Sequence, residues 1–187
     1  MDIDLVDIKH WRRHLKNPEP YAGLSQTDAD NLIALLPEGR DVLCVGCGDG
    51  YEVEALDKQE RHAIGITRNK DEVEKALENS RAVILADMHD LPFTDEMFDL
   101  VFCRDAWEHS IAPYIALAEM ARVLKEGGHA LIRLPSEDWI ECSYHYSVLT
   151  ERQVKEMFAK VKLECEVISP GIYLGKKNSQ LEYRGKT

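Results

Sequence analysis

The sequence predicts an α/β protein built on an open, doubly wound sheet, mostly parallel and closed by a final antiparallel strand. Three observations carry that expectation. Five short apolar runs, several rich in β-branched residues, recur along the chain. Longer segments with apolar residues three and four apart lie between them, and the first run ends in a cluster of glycines. Near-continuous apolar strands alternating with helices are what a parallel sheet covered on both faces requires.

Taken in order, Asp28–Leu36 reads as a helix ahead of the first strand, Val42–Val45. Ala63–Ile66, Ala82–Ala86, Leu100–Cys103 and Ala130–Leu134 are the next four strands. Val73, Ala76 and Leu77 mark one connecting helix. Ile115, Ala118, Ala121, Val123 and Leu124 mark another, with Gly127-Gly128 as its stop signal. Glu151–Lys160 reads as a further helix. In Leu163–Ile168, Leu163, Cys165 and Val167 alternate with Glu164 and Glu166, the period of a half-solvated strand. Leu181–Arg184 is its expected closing antiparallel partner. In an open α/β sheet of this kind, ligands sit at the carboxyl ends of the strands.

A length of 187 residues suits one domain, and no repeat, low-complexity tract or Pro/Gly/Ser linker divides it. The 34 acidic and 23 basic side chains leave a formal charge of −11. Phosphate contacts need clustered Lys and Arg, so nucleic acids and anionic membranes are disfavoured as partners. No stretch reaches the ~18 apolar residues of a membrane helix. Asp2, Asp4 and Asp7 are the wrong charge for a secretory or transit leader. Five cysteines, an odd number, argue against a disulfide framework, and the expected location is the cytoplasm.

Residues 42–50 read Val-Leu-Cys-Val-Gly-Cys-Gly-Asp-Gly, a buried strand running into Gly46, Gly48 and Gly50. Glycines there permit tight turns and close approach of a ligand to the backbone. A dinucleotide fingerprint needs G-x-G-x-x-G, but Tyr51 stands where its third glycine would be. No Gly-Lys-Ser/Thr follows for a triphosphate. Cys44 and Cys47 have CxxC spacing, yet Cys44 sits inside the strand and no second pair follows, so no metal is expected.

Further along, Ala86-Asp87-Met88, Leu91-Pro92-Phe93 and Asp95-Glu96-Met97-Phe98-Asp99-Leu100-Val101 recur in one block, followed by Glu108-His109 and by Glu119–Gly128. Together with the glycine loop this set, spanning roughly 40–134, resembles the class I S-adenosylmethionine (SAM)-dependent methyltransferases, in particular the type 11-like members. The resemblance implies a Rossmann-like fold, SAM as cofactor and S-adenosylhomocysteine as product. It assigns Gly46, Cys47, Gly48 and Gly50 to the methionine and ribose portions of SAM. Asp87 and the N–H of Met88 fall to the adenine, and Arg104 is a further cofactor contact. The second strand departs from the common pattern: Thr67 stands where an acid usually holds the ribose. Gly65-Ile66-Thr67 is similar to the motif of cyclopropane fatty acid synthase-like and tocopherol methyltransferase-like members. Thr67 and Glu72 are accordingly the expected ribose contacts.

Methyl transfer to oxygen or nitrogen requires a proton acceptor near the carboxyl ends of the fourth and fifth strands. His109, Glu108 and His145 are the expected catalytic residues, His109 first because imidazole titrates near ~6.5. Asp105 and Glu137 are further candidates. The segment 135–150, with Trp139, Tyr144 and Tyr146, is the expected substrate loop, and residues 1–26, with Trp11, Arg12 and Tyr21, the expected lid. The acidic charge and the absence of an Asn/Asp-Pro-Pro-Tyr/Phe motif point to a small or lipidic acceptor. The alternative is a non-catalytic SAM-binding module or partner subunit.

Overall fold

The structure is a computed structural model and describes residues 26–135 and 145–182. Its strands are β1 (Asp41–Val45), β2 (His62–Thr67), β3 (Val83–Leu85), β4 (Phe98–Arg104), β5 (Leu124–Arg133), β6 (Leu163–Ser169) and β7 (Ile172–Lys177). The helices are α1 (Gln26–Ile33), α2 (Tyr51–Asp57), α3 (Lys70–Glu78), α4 (Pro113–Val123) and α5 (Glu151–Lys160). The strands form one sheet in the order β3-β2-β1-β4-β5-β7-β6. The first five are parallel, while β7 runs antiparallel to both β5 and β6.

β1 shows why the apolar runs are continuous. Leu43 and Val45 pack with Val101, Trp107, Leu117 and Phe158 on one side of the sheet. Val42 and Cys44 pack with Val53, Leu56, Phe102 and Leu131 on the other. A strand buried on both faces has no position left for a polar residue. The helices begin where side chains can replace missing backbone partners. Asn69 accepts a hydrogen bond from the Asp71 N–H at 3.0 Å at the start of α3, and Thr150 and Gln153 form a reciprocal capping box on α5.

Two expectations need correction. Gly127-Gly128 does not stop a helix: α4 ends at Val123 and β5 starts at Leu124. The glycines instead form an irregularity in β5, where the pairing with β4 slips between Phe98↔Leu124 and Leu100↔His129. Gly127 has φ +75°, and a Cβ on Gly128 would fall 2.8 Å from the Asp99 carbonyl oxygen. The closing antiparallel strand is β7 and not Leu181–Arg184. Leu181 and Glu182 belong to no strand, and 183–184 lie outside the described residues. Gly171 at φ +79° turns the chain from β6 into β7, and Gly175 leaves room for the Phe158 ring, which a Cβ there would meet at 2.7 Å.

Candidate active site

The glycine loop leaves β1 and is fixed to the end of β2 by two donors: the Gly46 and Cys47 N–H groups both reach the Ile66 carbonyl, at 3.0 and 3.1 Å. Gly46, Gly48 and Gly50 all have positive φ, but their surroundings differ. A Cβ at Gly46 would fall 2.3 Å from the Cβ of Ala106, and one at Gly50 2.6 Å from Val83. A Cβ at Gly48 would meet nothing within 4 Å. The outer two are packing requirements, and the middle one faces open space. Cys47 packs so closely over Gly65 that a Cβ there would sit 2.2 Å from its sulfur. Burial holds the Cys44 and Cys47 thiols well above their ordinary pKa, so neither is a nucleophile at neutral pH.

At the end of β2, Thr67 is buried and its hydroxyl donates to Glu72 Oε2 at 2.5 Å while accepting from the Asn69 N–H at 3.2 Å. The two expected ribose contacts are therefore partners of one another. Asp87 follows β3 and makes a tight turn, its Oδ1 accepting from the His89 N–H at 2.9 Å and lying 2.6 Å from His89 Nδ1. Partial burial works to raise its pKa, but the His89 hydrogen bonds and the Arg68 charge outweigh it and hold the carboxyl below the usual range. Met88 is buried in the core.

From His89 the network continues: its Nε2 lies 2.6 Å from Ser110 Oγ, which also accepts from the Ala112 N–H at 3.1 Å. The chain Asp87–His89–Ser110 thus links the end of β3 to the turn beyond β4. The sequence reading missed His89 and Ser110. Asp-x-His carries the spacing of an Asx turn and was a usable signal for His89. Nothing in the sequence marks Ser110.

The turn beyond β4 carries the remaining candidates. Arg104 pairs with Glu52 of α2 through Nε at 2.9 Å and through Nη2, leaving Nη1 buried without a hydrogen-bond partner among the described residues. Asp105, at φ +47°, pairs with Arg133. Burial pushes its carboxyl above the ordinary range, against the pull of Arg133 and Arg104. A short 3₁₀ turn, Trp107–His109, is anchored by Trp107, which is fully buried and donates its indole N–H to the Pro113 carbonyl at 2.9 Å.

Glu108 beside it is only 2% exposed, and neither carboxylate oxygen has a hydrogen-bond partner among the described residues. Burial, with Asp105 adding to it, pushes the Glu108 pKa up to about 8. His109 Nε2 lies 3.9 Å and His145 Nε2 4.0 Å from Glu108 Oε1, and the two rings are 5.1 Å apart in edge-on contact. Ser147 brings the distant His145 segment in: its N–H donates to the Glu108 carbonyl at 3.0 Å and its hydroxyl to the Ser110 carbonyl at 2.6 Å. The three expected catalytic residues form one cluster. Tyr146 is 42% exposed. Trp11, Arg12, Tyr21, Glu137, Trp139 and Tyr144 lie outside the described residues, as do most of the expected lid and substrate loop.

Comparison with known proteins bears on this geometry. Residues 43–132 match the methyltransferase domain family. The uncharacterized methyltransferase YcgJ of Bacillus subtilis is 34% identical over 99 residues, 49% of this chain and 39% of its own. The ubiquinone biosynthesis O-methyltransferase of Alkalilimnicola ehrlichii is 28% identical over 130 residues, 66% of this chain and 52% of its own. The first such relatives are longer proteins, of which the chain spans between 33% and 62%. Among solved structures, the methyltransferase in complex with the Trm112 activator of Haloferax volcanii superposes with a TM-score of 0.74 at 19% identity, over 95% of this chain and 99% of that one. The YcgJ structure gives 0.65 at 23%, over 76% and 71%. These likenesses establish the same fold. On motifs, family match and fold together, the chain belongs to the class I SAM-dependent methyltransferases.

Proposed function

We propose that this chain binds SAM across the carboxyl ends of β1, β2 and β4 and transfers its methyl group to a small or lipidic acceptor in the cytoplasm. The observation that carries the reading is a juxtaposition: the turn bearing Glu108 and His109 begins at Ala106, which packs against Gly46 of the glycine loop. Cofactor loop and titratable cluster are thus neighbours. The residues present suit SAM. Gly48 leaves an open face for close approach, Thr67 and Glu72 offer hydroxyl and carboxylate to the ribose, and Asp87 and the Met88 N–H suit the adenine edge. Arg104, with Nη1 buried and unpartnered among the described residues, suits the methionine carboxylate.

SAM supplies a methyl group on a sulfonium, a leaving group that needs no activation. The chain has to align an acceptor and, for oxygen or nitrogen, receive a proton. In this reading His109 is that base, with Glu108 beside it and His145 flanking the acceptor. The charge of −11 and relatives named for ubiquinone biosynthesis, sterol methylation and malonyl-acyl carrier protein support a small or lipidic acceptor over a nucleic acid. Among the described residues no helix is long and apolar enough to cross a membrane.

Calorimetry with SAM and S-adenosylhomocysteine tests the cofactor, with micromolar binding of both expected. Binding of NADH but not SAM would overturn the reading. Labelled SAM incubated with metabolite extracts then tests transfer. A second reading is a chain that works only with a partner subunit, favoured by the Haloferax protein, solved with an activator and matched over nearly its whole length. Tight SAM binding without transfer by the isolated chain, restored by a co-purifying protein, would select it.

A further inference from the structure

Glu108 is in an environment that a methyl-transfer base does not explain. A carboxylate that is 2% exposed and accepts no hydrogen bond among the described residues is strongly disfavoured unless something positive compensates it. Its ion-pair neighbours among the described residues are His109 Nε2 at 3.9 Å and His145 Nε2 at 4.0 Å. At those distances neither ring hydrogen-bonds the carboxylate, and each neutral imidazole has one lone-pair nitrogen to offer a cation. Two imidazoles and one carboxylate are the donor set of a cation site, and the three donor atoms all lie within 4.8 Å of one another.

We infer that Glu108, His109 and His145 bind a divalent first-row transition cation such as Zn²⁺, Mn²⁺ or Co²⁺. With bonds of ~2.1 Å, donors around a tetrahedral ion stand ~3.4 Å apart, so the Glu108 pairs at 3.9 and 4.0 Å close by about half an ångström and no pair by more than about 1.4 Å. The donor set selects against Cu(I), which wants thiolates, and against Ca²⁺ and Mg²⁺, which want oxygen throughout. Three protein ligands leave coordination positions open for water or substrate, the arrangement of a catalytic and not a structural site. The framework is fixed: fully buried Trp107 anchors the turn, and Ser147 ties the His145 segment to it through Glu108 and Ser110 carbonyls. The sequence expectation of no metal turned on cysteine spacing, and this cluster uses no cysteine.

The catalytic use of the ion rests on the methyl-transfer reading, and there it names the acceptor as a hydroxyl. A hydroxyl oxygen on such a cation loses its proton near neutral pH, as metal-bound water does. That oxygen then forms the new bond to the methyl carbon while the carbon–sulfur bond breaks. The bonding pair leaves on the sulfur of S-adenosylhomocysteine and the hydroxyl proton passes to solvent. His109 and His145 act in this form as ligands, and the base of the metal-free reading is not needed.

The test is titration of the untagged full-length chain, stripped of metal, with Co²⁺ followed by visible absorption and calorimetry. One equivalent is expected to bind with a dissociation constant of micromolar or below, giving the spectrum of nitrogen and oxygen ligands without a thiolate charge-transfer band. Glu108→Gln and His145→Ala, checked for folding by circular dichroism, are expected to weaken binding at least 10-fold, and His62→Ala to leave it unchanged. Absence of tight 1:1 binding by the wild type, a thiolate band, or equal loss in His62→Ala would overturn the site. SAM calorimetry on the same stripped protein separates the two readings. Co²⁺ bound without SAM overturns the methyl-transfer reading alone, and SAM bound without Co²⁺ overturns the metal site alone.

Discussion

Gly46 and Gly48 stand two residues apart with similar backbone angles, φ +70° and +55°, yet substitution separates their roles. Gly46→Ala adds a methyl group 2.3 Å from the Ala106 Cβ on top of left-handed strain. Overpacking and the wrong φ together are expected to cost about 3–5 kcal/mol, read by denaturant unfolding. Gly48→Ala meets no neighbour and is expected to cost only about 1 kcal/mol. If its open face receives SAM, it nonetheless weakens SAM binding 10-fold or more by calorimetry. Equal loss of affinity and stability in both variants would remove Gly48 from the binding site. Thr67 and Glu72 permit a sharper test, because they are bonded to each other at 2.5 Å. Thr67→Val and Glu72→Ala are each expected to weaken SAM binding about 10-fold, and the double variant little more than either. Additive losses would mean that the two act separately. The glycines, Thr67, Asp87 and Glu108-His109 were singled out by the family's motifs, which place each near the carboxyl end of a strand. The chain Asp87–His89–Ser110 was not, because 21 positions separate the two side chains that His89 Nε2 and Ser110 Oγ bring together.

Elements were read best where their own residues set the pattern. α5 matches its expected span, Glu151–Lys160, because Thr150 and Gln153 write its start into the sequence. β7 was missed although Pro170-Gly171 marks the turn before it, since the glycine in Ile-Tyr-Leu-Gly-Lys-Lys argues against a strand. The Phe158 ring and Leu163, on other elements, explain Gly175. The slip in β5 was hidden for the same reason: it depends on Asp99 of β4. Asp99 ties three elements together, its Oδ2 accepting from the Arg40 and Asp41 N–H groups at 2.9 Å and its Oδ1 from Lys125 Nζ at 2.8 Å. Burial works to raise its pKa, but those backbone and Lys125 hydrogen bonds overcome it and set the pKa to about 2, below the ordinary 3.8. A carboxyl depressed in the folded state adds stability that is complete above pH ~4 and disappears as pH falls through about 2. Asp99→Asn is therefore expected to lower stability at pH 7 by about 1–2 kcal/mol. Its stability should also fall less steeply than the wild type's between pH 4 and 2. Parallel pH profiles for the two proteins would show that another carboxyl carries the acid sensitivity.

At the scale of the molecule, alternation of strands and helices announces a doubly wound sheet but not the order of its strands. That order matters, because the chain runs outward from β1 to β2 and β3 and then crosses back to β4 on the other side of β1, where the winding reverses. A crevice opens at such a switch point, beyond the carboxyl ends of the strands, and the glycine loop, Thr67 and the Glu108 turn are all found at that end. A ligand held there touches β1, β2 and β4 at once and so stabilises the whole sheet instead of one loop. Binding to the folded state alone adds ~2.7 kcal/mol at a ligand concentration 100 times its dissociation constant. For a chain of 187 residues each kcal/mol raises Tm by roughly 2–4 °C. SAM and S-adenosylhomocysteine at that excess are thus expected to raise Tm by roughly 5–10 °C, measured by calorimetric or fluorescence melting, and NADH to leave it unchanged. The shift belongs to the sheet as a unit: it should appear as one displaced cooperative transition, and Gly48→Ala should reduce it in proportion to its lost affinity. A shift with NADH, or none with either SAM species at concentrations that saturate calorimetric binding, would mean that the crevice is not where the ligand sits.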